Sequence, residues 1–366
     1  MMNKLRGRII DELPSALREL YSSAGYSCYR TVGFEEYDLF SQYRDFLTSG
    51  QMITFTGAGG RLLALKPDIT MSIIRDAAQE RGRSDKFFYS ESVYRVPAGG
   101  DEFKEILQIG LECIGDLSGY DRAEVVSLAC KTLAVTGREY KLDLSNTGLI
   151  SGLFDIFGIP ADARADFADA LKDKNAPMIS LLCEKNGILP ENAKKLIEFS
   201  RFSLPIRDAA RELRALGFGD NAKSAQALLM LELIANTLTD DEAECVSLDF
   251  SVIHGMNYYD GTVFAGYIDG VAEAVLKGGE YGKLMKKMGR EGSGLGFALY
   301  TDLLERLDDG EKNYAADVML VCGDASPEAI ASEVKKIRSS GKTVLVQKGR
   351  AGAERCAEIV ILGEEV

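Results

Sequence analysis

What this sequence lacks narrows its chemistry first. Its seven cysteines (Cys28, Cys113, Cys130, Cys183, Cys245, Cys322, Cys356) are scattered, odd in number and never spaced Cys-x-x-Cys. That argues against a disulfide framework or a zinc site and for a reducing cytoplasm. No apolar run reaches the roughly 18 residues needed to span a bilayer, and the start, MMNKLRGRIIDELPS, lacks the apolar core of a signal peptide. The glycine cluster at 57–60 is not followed by a helical pattern, so it is not a nucleotide-binding loop. A distinct basic face is missing too. Net charge is −13, and the one basic cluster (Lys277, Lys283, Lys286, Lys287, Arg290) reads as a solvated helix face, which makes nucleic acid a poor default partner. Histidine is nearly absent: His254 is the only one, and a lone histidine in a polar corner is a catalytic candidate.

What is present is an ordinary globular composition, 46% hydrophobic and 27% charged, over 366 residues. That length exceeds what one core supports, so two or three domains are expected. Pro14 near a first turn and Gly25 past an end predict a helix from Leu13 to about Ser23. Alternation over Met52–Thr56 and Arg61–Leu65 predicts a β-hairpin. A helix over Met71–Arg81, long strands over Phe87–Val96 and Glu105–Ile114, a helix from Ser118 closed by Gly137, and a strand over Tyr140–Leu144 follow. From about 146 to 240, short amphipathic helices punctuated by Pro160, Pro177, Pro190 and Pro205 read as a helical insertion in a β-rich core of residues 1–310. The stretch DFSVIHGMNYYDGTVFAGY, Asp249–Tyr267, reads as two buried strands joined at a tight polar corner, and LKGGEYGKL as a glycine turn. Residues 311–366 read as a small α/β unit with strands at Val318–Cys322, Thr343–Gln347 and Glu358–Leu362, and a helix capped at Ser326 and ending at Gly341. The fold class is an antiparallel α+β core.

Polar residues stranded in apolar segments mark a candidate ligand site. Asp68 and Thr70 sit at a strand-to-helix turn, and Arg95 ends a strand. Gln108 and Glu112 lie four apart on the next strand and share a face. Glu112, inside QIGLECIG, is a buried carboxylate that needs a cationic or hydrogen-bonding partner. Tyr258 and Tyr259, flanked by Phe250, Val252, Val263 and Phe264, are expected to point into a pocket. Each also has a purely structural reading: Asp68 as a helix N-cap, Arg95–Glu112 as an internal ion pair, Gln108 as a core amide, and the tyrosines as core residues. Together they form a set able to read an amino acid, with acceptors for an ammonium, donors for a carboxylate and an acid–phenol pair for a polar ring.

The segment FFYSESVYRVPAGGDEFKEILQIGLECIG resembles motif 2 of class II aminoacyl-tRNA synthetases, histidyl-tRNA synthetase in particular. LKPDIT is similar to the LRPEGT segment of that family, HGMNYYDGTVF to its RGLDYYxxTVFE motif, GGEYGKL to GGRYD, and GLGFALYTDLLERL to motif 3. The C-terminal unit resembles an abbreviated anticodon-binding domain. The resemblance spans nearly the whole chain and implies an antiparallel sheet of six or seven strands flanked by helices. By it, Glu112 and Tyr259 would hydrogen-bond an imidazole. Asp68, Thr70 and Gln108 would hold an α-amino group, Arg95 would serve the carboxylate, and Tyr258 and Tyr281 would line the pocket.

Departures from the pattern bear on activity. The arginine of RGLDYY is replaced by His254, the arginine of GGRYD by Glu280, the arginine of motif 3 by Leu303, and the glutamate of LRPEGT by Asp68, while Arg95 is kept. Adenylation relies on cations against the α-phosphate. This pattern is similar to a second family, the regulatory subunits of ATP phosphoribosyltransferase, which are synthetase-like but do not aminoacylate. Membership would imply no enzyme activity and no cofactor of its own. It would also imply a hetero-oligomer with a short-form catalytic subunit, a homodimer through the core, and feedback inhibition by bound histidine. Two other readings stay open: a divergent histidyl-tRNA synthetase or other amino-acid-activating ligase, and an amino-acid-binding module with another partner. Pro97–Lys104 and the corner around Gly255 are the candidate moving elements.

Overall fold

The computed structural model describes residues 9–47, 51–78, 80, 82–96, 100–252, 258–304 and 314–362. They gather into two compact units divided near residue 307. The first unit opens with α1 (Ile9–Ser23), β1 (Ser27–Cys28), β2 (Phe34–Glu36), α2 (Tyr37–Ser41), β3 (Thr54–Thr56), β4 (Leu62–Leu65) and α3 (Thr70–Asp76). The long strands β5 (Ser84–Arg95) and β6 (Lys104–Gly115) follow, then α4 (Gly119–Val135) and β7 (Tyr140–Asn146). A largely helical stretch comes next: α5 (Thr147–Ile156), α6 (Arg164–Lys172), α7 (Ala176–Lys185), α8 (Pro190–Ser200), β8 (Ser203–Pro205), α9 (Ile206–Ala215), α10 (Ala222–Thr237) and α11 (Asp240–Glu244). The chain returns through β9 (Val246–Asp249), β10 (Thr262–Ile268), β11 (Leu276–Glu280), α12 (Gly282–Lys287), β12 (Ser293–Tyr300) and α13 (Thr301–Leu304).

Local chemistry accounts for the boundaries. Ser118 caps α4 by accepting from the Asp121 N–H, while the Asp121 carboxylate accepts from the Ser118 N–H, a reciprocal capping box. Pro177 and Pro190 sit in the first turns of α7 and α8, where a missing N–H costs nothing. Two expected bounds move. The first helix starts earlier than Leu13 and carries Pro14 inside it, at the loss of one ladder bond. The third stops at Asp76, because Ala77 turns to extended backbone while its N–H still bonds the Ile73 carbonyl. The predicted hairpin forms as β3 and β4, with β2 on the other side of β4.

The main sheet has the order β1-β5-β6-β12-β11-β10-β7-β9-β8. Its middle six strands, β5 to β7, are antiparallel as the sequence suggests. The flanks correct the expectation: β1 joins β5 and β9 joins β7 in parallel, making a mixed sheet of nine strands. The helical stretch between β7 and β9 supplies the long crossover that a parallel pair needs. The Asp249–Tyr267 stretch is corrected likewise. β9 and β10 lie on opposite sides of β7, so it is a crossover and not a hairpin corner; His254 and Gly255 lie outside the described residues. LKGGEYGKL is also a strand running into α12, not a turn. A Cβ on Gly278 would fall 2.5 Å from the Gly296 carbonyl oxygen, so its glycine permits close strand approach.

One face of the sheet packs on α1 and α4, with Phe88, Leu111, Phe264, Leu276, Phe297 and Leu299 among its core residues. Side chains of this size contribute about 1.5–3 kcal/mol each when fully buried. Tyr21 of α1 and Thr132 of α4 share a hydrogen bond of 2.8 Å inside that core. The opposite face carries the cavity described below. The second unit has β13 (Ala316–Val321), α14 (Pro327–Ser339), β14 (Val344–Gln347) and β15 (Cys356–Ile361), its strands parallel in the order β14-β13-β15. Ser326 caps α14. No helix among the described residues is long and apolar enough to cross a membrane.

Candidate functional site: a polar cavity on the sheet

Strand periodicity decides which side chains meet on the cavity face. The register pairs Glu112 with Gly296, Gln108 with Tyr300, Ala298 with Lys277, and Tyr89 with Gly110. Arg95, Tyr89, Gln108, Glu112, Tyr300 and Lys277 therefore share one face across four neighbouring strands. All of them line one cavity of about 840 Å³, joined by Asp68, Thr70, Tyr258, Tyr259 and Tyr281. The eight residues singled out in the sequence are thus brought together. The volume lies in the range of pockets that enclose small molecules.

Glu112 carries the deepest carboxyl of the cavity, 2% exposed. The Thr70 hydroxyl donates to its Oε1 at 2.7 Å, and the Tyr281 hydroxyl donates to its Oε2 at 2.5 Å. Glu112 is thus held by two hydroxyls and not by the internal ion pair with Arg95 that its structural reading offered, and the phenol against it is that of Tyr281. Desolvation pushes the Glu112 carboxyl up to about 8, against the pull of the two hydroxyls, so at pH 7 it holds its proton. Gly296 makes the space: a Cβ there would reach 1.8 Å from Oε2.

Asp68 combines its two readings. Its Oδ1 accepts from the Met71 N–H at 3.0 Å in the first turn of α3, and its carboxyl faces the cavity. Burial raises its pKa, opposed by that N–H and by the charge of Arg95. The rings of Tyr258 and Tyr259 meet edge-on at 4.7 Å, and Tyr258 lies 5.9 Å from both Tyr281 and Phe46. Burial holds all three phenols well above their ordinary pKa, as neutral hydroxyls. Arg95 is buried and lies over the Tyr300 ring at 5.4 Å. On the helical stretch, Arg164, Ala168 and Lys172 of α6 complete the wall.

The departures look different in three dimensions. Glu280 follows the other parity of β11 and leaves the cavity; Arg122 grips its carboxylate at 2.7 Å and the Ser293 hydroxyl donates at 3.0 Å. Leu303 is buried in the main core, also away from the cavity. The basic cluster is no uniform solvated face: Lys277 and Lys283 line the cavity, and Lys287 lies over Phe46 at 4.9 Å. Sequence reasoning missed Lys277 and Tyr300 as site residues. The signal for Lys277 was its even spacing from Tyr281 once LKGGE is taken as a strand. Among the described residues no cluster of histidine, cysteine and carboxylate side chains is arranged to hold a metal.

The family model described as histidyl-tRNA synthetase matches residues 6–304, most of the chain. The chain belongs to the histidyl-tRNA synthetase family. Within that family it is similar to bacterial proteins named ATP phosphoribosyltransferase regulatory subunit. One, from Symbiobacterium thermophilum, is 28% identical over 374 residues, covering 95% of this chain and 92% of its own. Another, from Acetivibrio thermocellus, is 27% identical over 308 residues, covering 82% and 72%. A solved ATP phosphoribosyltransferase regulatory subunit/histidyl-tRNA synthetase from Bacillus halodurans C superposes with a TM-score of 0.76 at 23% identity, over 99% of this chain and 98% of its own. A chain of the ATP phosphoribosyl transferase (HisG:HisZ) complex from Thermotoga maritima superposes at 0.61 and 20% identity, over 79% and 96%. At those identities the structures establish the synthetase fold alone.

Proposed function

We propose that this chain is the regulatory subunit of ATP phosphoribosyltransferase, non-catalytic itself, and that its cavity binds free histidine as the signal for feedback inhibition. The observation that carries the ligand is Glu112. A buried carboxyl with a pKa of about 8 sits close to an imidazole's reference value of about 6.5, so a proton can be shared between acid and ring at small cost. Tyr258 and Tyr259 flank the ring, Asp68 and Gln108 accept from the ammonium, and Arg95 meets the carboxylate. Thr70 and Tyr281 act one step back, by holding Glu112.

The names of the relatives support the partner, a short-form catalytic phosphoribosyltransferase in a cytoplasmic hetero-oligomer, with this chain pairing through its core. The positions of Glu280 and Leu303 support the loss of adenylation, since neither supplies a cation to the cavity. Regulation then works by linkage: histidine shifts the assembly only as far as its affinity differs between two states, a coupling of about 1–3 kcal/mol. A second reading, an amino-acid-activating ligase, draws on Arg95, which faces the cavity from the motif-2 position. Two assays on the purified protein decide. Calorimetry should show histidine binding, and ATP–pyrophosphate exchange with histidine should show no turnover; exchange above background would establish the ligase instead.

A further inference from the structure

A smaller cavity lies outside the site described above, in the cleft between α1 and the outer edge of β5. It measures about 260 Å³, and Pro14, Arg18, Cys28, Arg30, Phe88 and Ser90 are among the residues that line it. Pro14 and Arg18 stand four apart, on one face of α1. By the parity of β5, Phe88 and Ser90 turn toward α1, with Ile109 beside Ser90 on β6. β1 is two residues long against twelve for β5, so the outer edge of β5 is open beyond it. On that edge the Phe88 carbonyl accepts from the Tyr29 N–H at 2.8 Å, and the Tyr94 N–H donates to the Lys66 carbonyl at 2.9 Å. Ser90 lies an even number of positions from both, so its N–H points outward too. Among the described residues no backbone carbonyl accepts from it there.

Charge makes this cleft distinctive. Acids outnumber bases in the chain, 56 to 43, and Arg75, Arg122 and Arg164 each hold a carboxylate at 2.7 Å or less. Arg18 and Arg30 form no ion pair and no side-chain hydrogen bond among the described residues. The carboxylate beside the cleft, that of Glu91, is taken up by the buried Lys66 at 2.7 Å. The cleft therefore offers two guanidinium forks, an N–H and a hydroxyl, with no carboxylate left over to oppose an anion. Arginine forks match the oxygens of phosphate two at a time. One water takes up about 30 Å³, so the space holds a phosphate group with waters to spare. We propose that this cleft is a second ligand site, a seat for phosphate, free or carried on a small molecule, with Arg18 and Arg30 as its cations and Ser90 as its neutral donor. Tyr89 lines both this cleft and the larger cavity, so the two sites share a wall.

Cys28 reports on the site, because it lines the cleft and is the exposed one of the seven cysteines. The test is the rate of Cys28 alkylation by iodoacetamide at pH 7, followed by mass spectrometry of its peptide in the full chain. Inorganic phosphate and glycerol 3-phosphate are titrated separately, each against sodium chloride at equal ionic strength, which removes general screening. Both should slow the reaction, with half-protection at about 1 mM or below, the scale of two charge-assisted contacts. Arg18→Gln and Arg30→Gln alter exposed residues, so each should keep the wild-type Tm while raising the half-point about tenfold. A lower half-point for glycerol 3-phosphate supports a seat for a phosphorylated molecule; equal half-points support one for free phosphate. Protection no greater than that by chloride would overturn the proposal. So would wild-type half-points in both arginine variants. Neither result bears on the histidine site.

Discussion

Replacing Glu112 by glutamine isolates the group on which the site depends. The carboxyl is raised from an ordinary 4.5 to about 8, so between these values the folded chain holds a proton that the unfolded chain has released. Its contribution to stability is therefore fully present below about pH 4.5 and is lost as pH rises through 8. At 1.36 kcal/mol per pH unit the rise amounts to a loss on the order of 5 kcal/mol. Glutamine has the shape of the protonated acid and cannot ionise, so Glu112→Gln should lack this slope. Urea denaturation of both proteins at pH 5, 7 and 9 reads the difference. The wild type should lose stability relative to the variant as pH climbs, nearly all of the change falling below pH 8.5. Parallel pH curves would refute the claim that Glu112 is buried as an acid. At pH 7, Glu112→Gln should also lose histidine affinity while staying folded.

Two further substitutions probe the surroundings. Tyr281→Phe removes the 2.5 Å donor to Oε2 and should cost about 1–3 kcal/mol. More of that loss should appear at pH 9 than at pH 5 in urea melts, because the hydroxyl favours the ionised carboxylate. Leu303→Arg should create no ATP–pyrophosphate exchange, since that side chain is buried in the main core; it should instead lower stability by about 3 kcal/mol, seen as a fall in Tm.

The fold was legible where signals are local. The capping box at Ser118, the alternation around 52–65 and the long strands β5 and β6 each depend on residues a few positions apart. The parallel flanks were not legible, because β9 chooses its neighbour only after a helical stretch of about a hundred residues has brought it back beside β7. The site divided the same way. Gln108 and Glu112 announce a shared face by their spacing. The bond from Tyr281 to Glu112 joins residues 169 apart and rests on the register of β6, β12 and β11, which no motif prints. Alignment by motif also misleads where parity matters: the resemblance counted Glu280 among the cations lost for adenylation, as if its position faced the site. Strand periodicity instead turns Glu280 toward Arg122 and gives the cavity Lys277.

The most direct test of the account is the activity of the short-form ATP phosphoribosyltransferase catalytic subunit, titrated with this chain in the presence and absence of histidine. The account predicts that the two proteins co-elute, that this chain raises the catalytic rate, and that histidine lowers it in the complex, with the inhibition lost in Glu112→Gln. A catalytic rate indifferent to this chain, or inhibition by histidine that persists unchanged in Glu112→Gln, would contradict it.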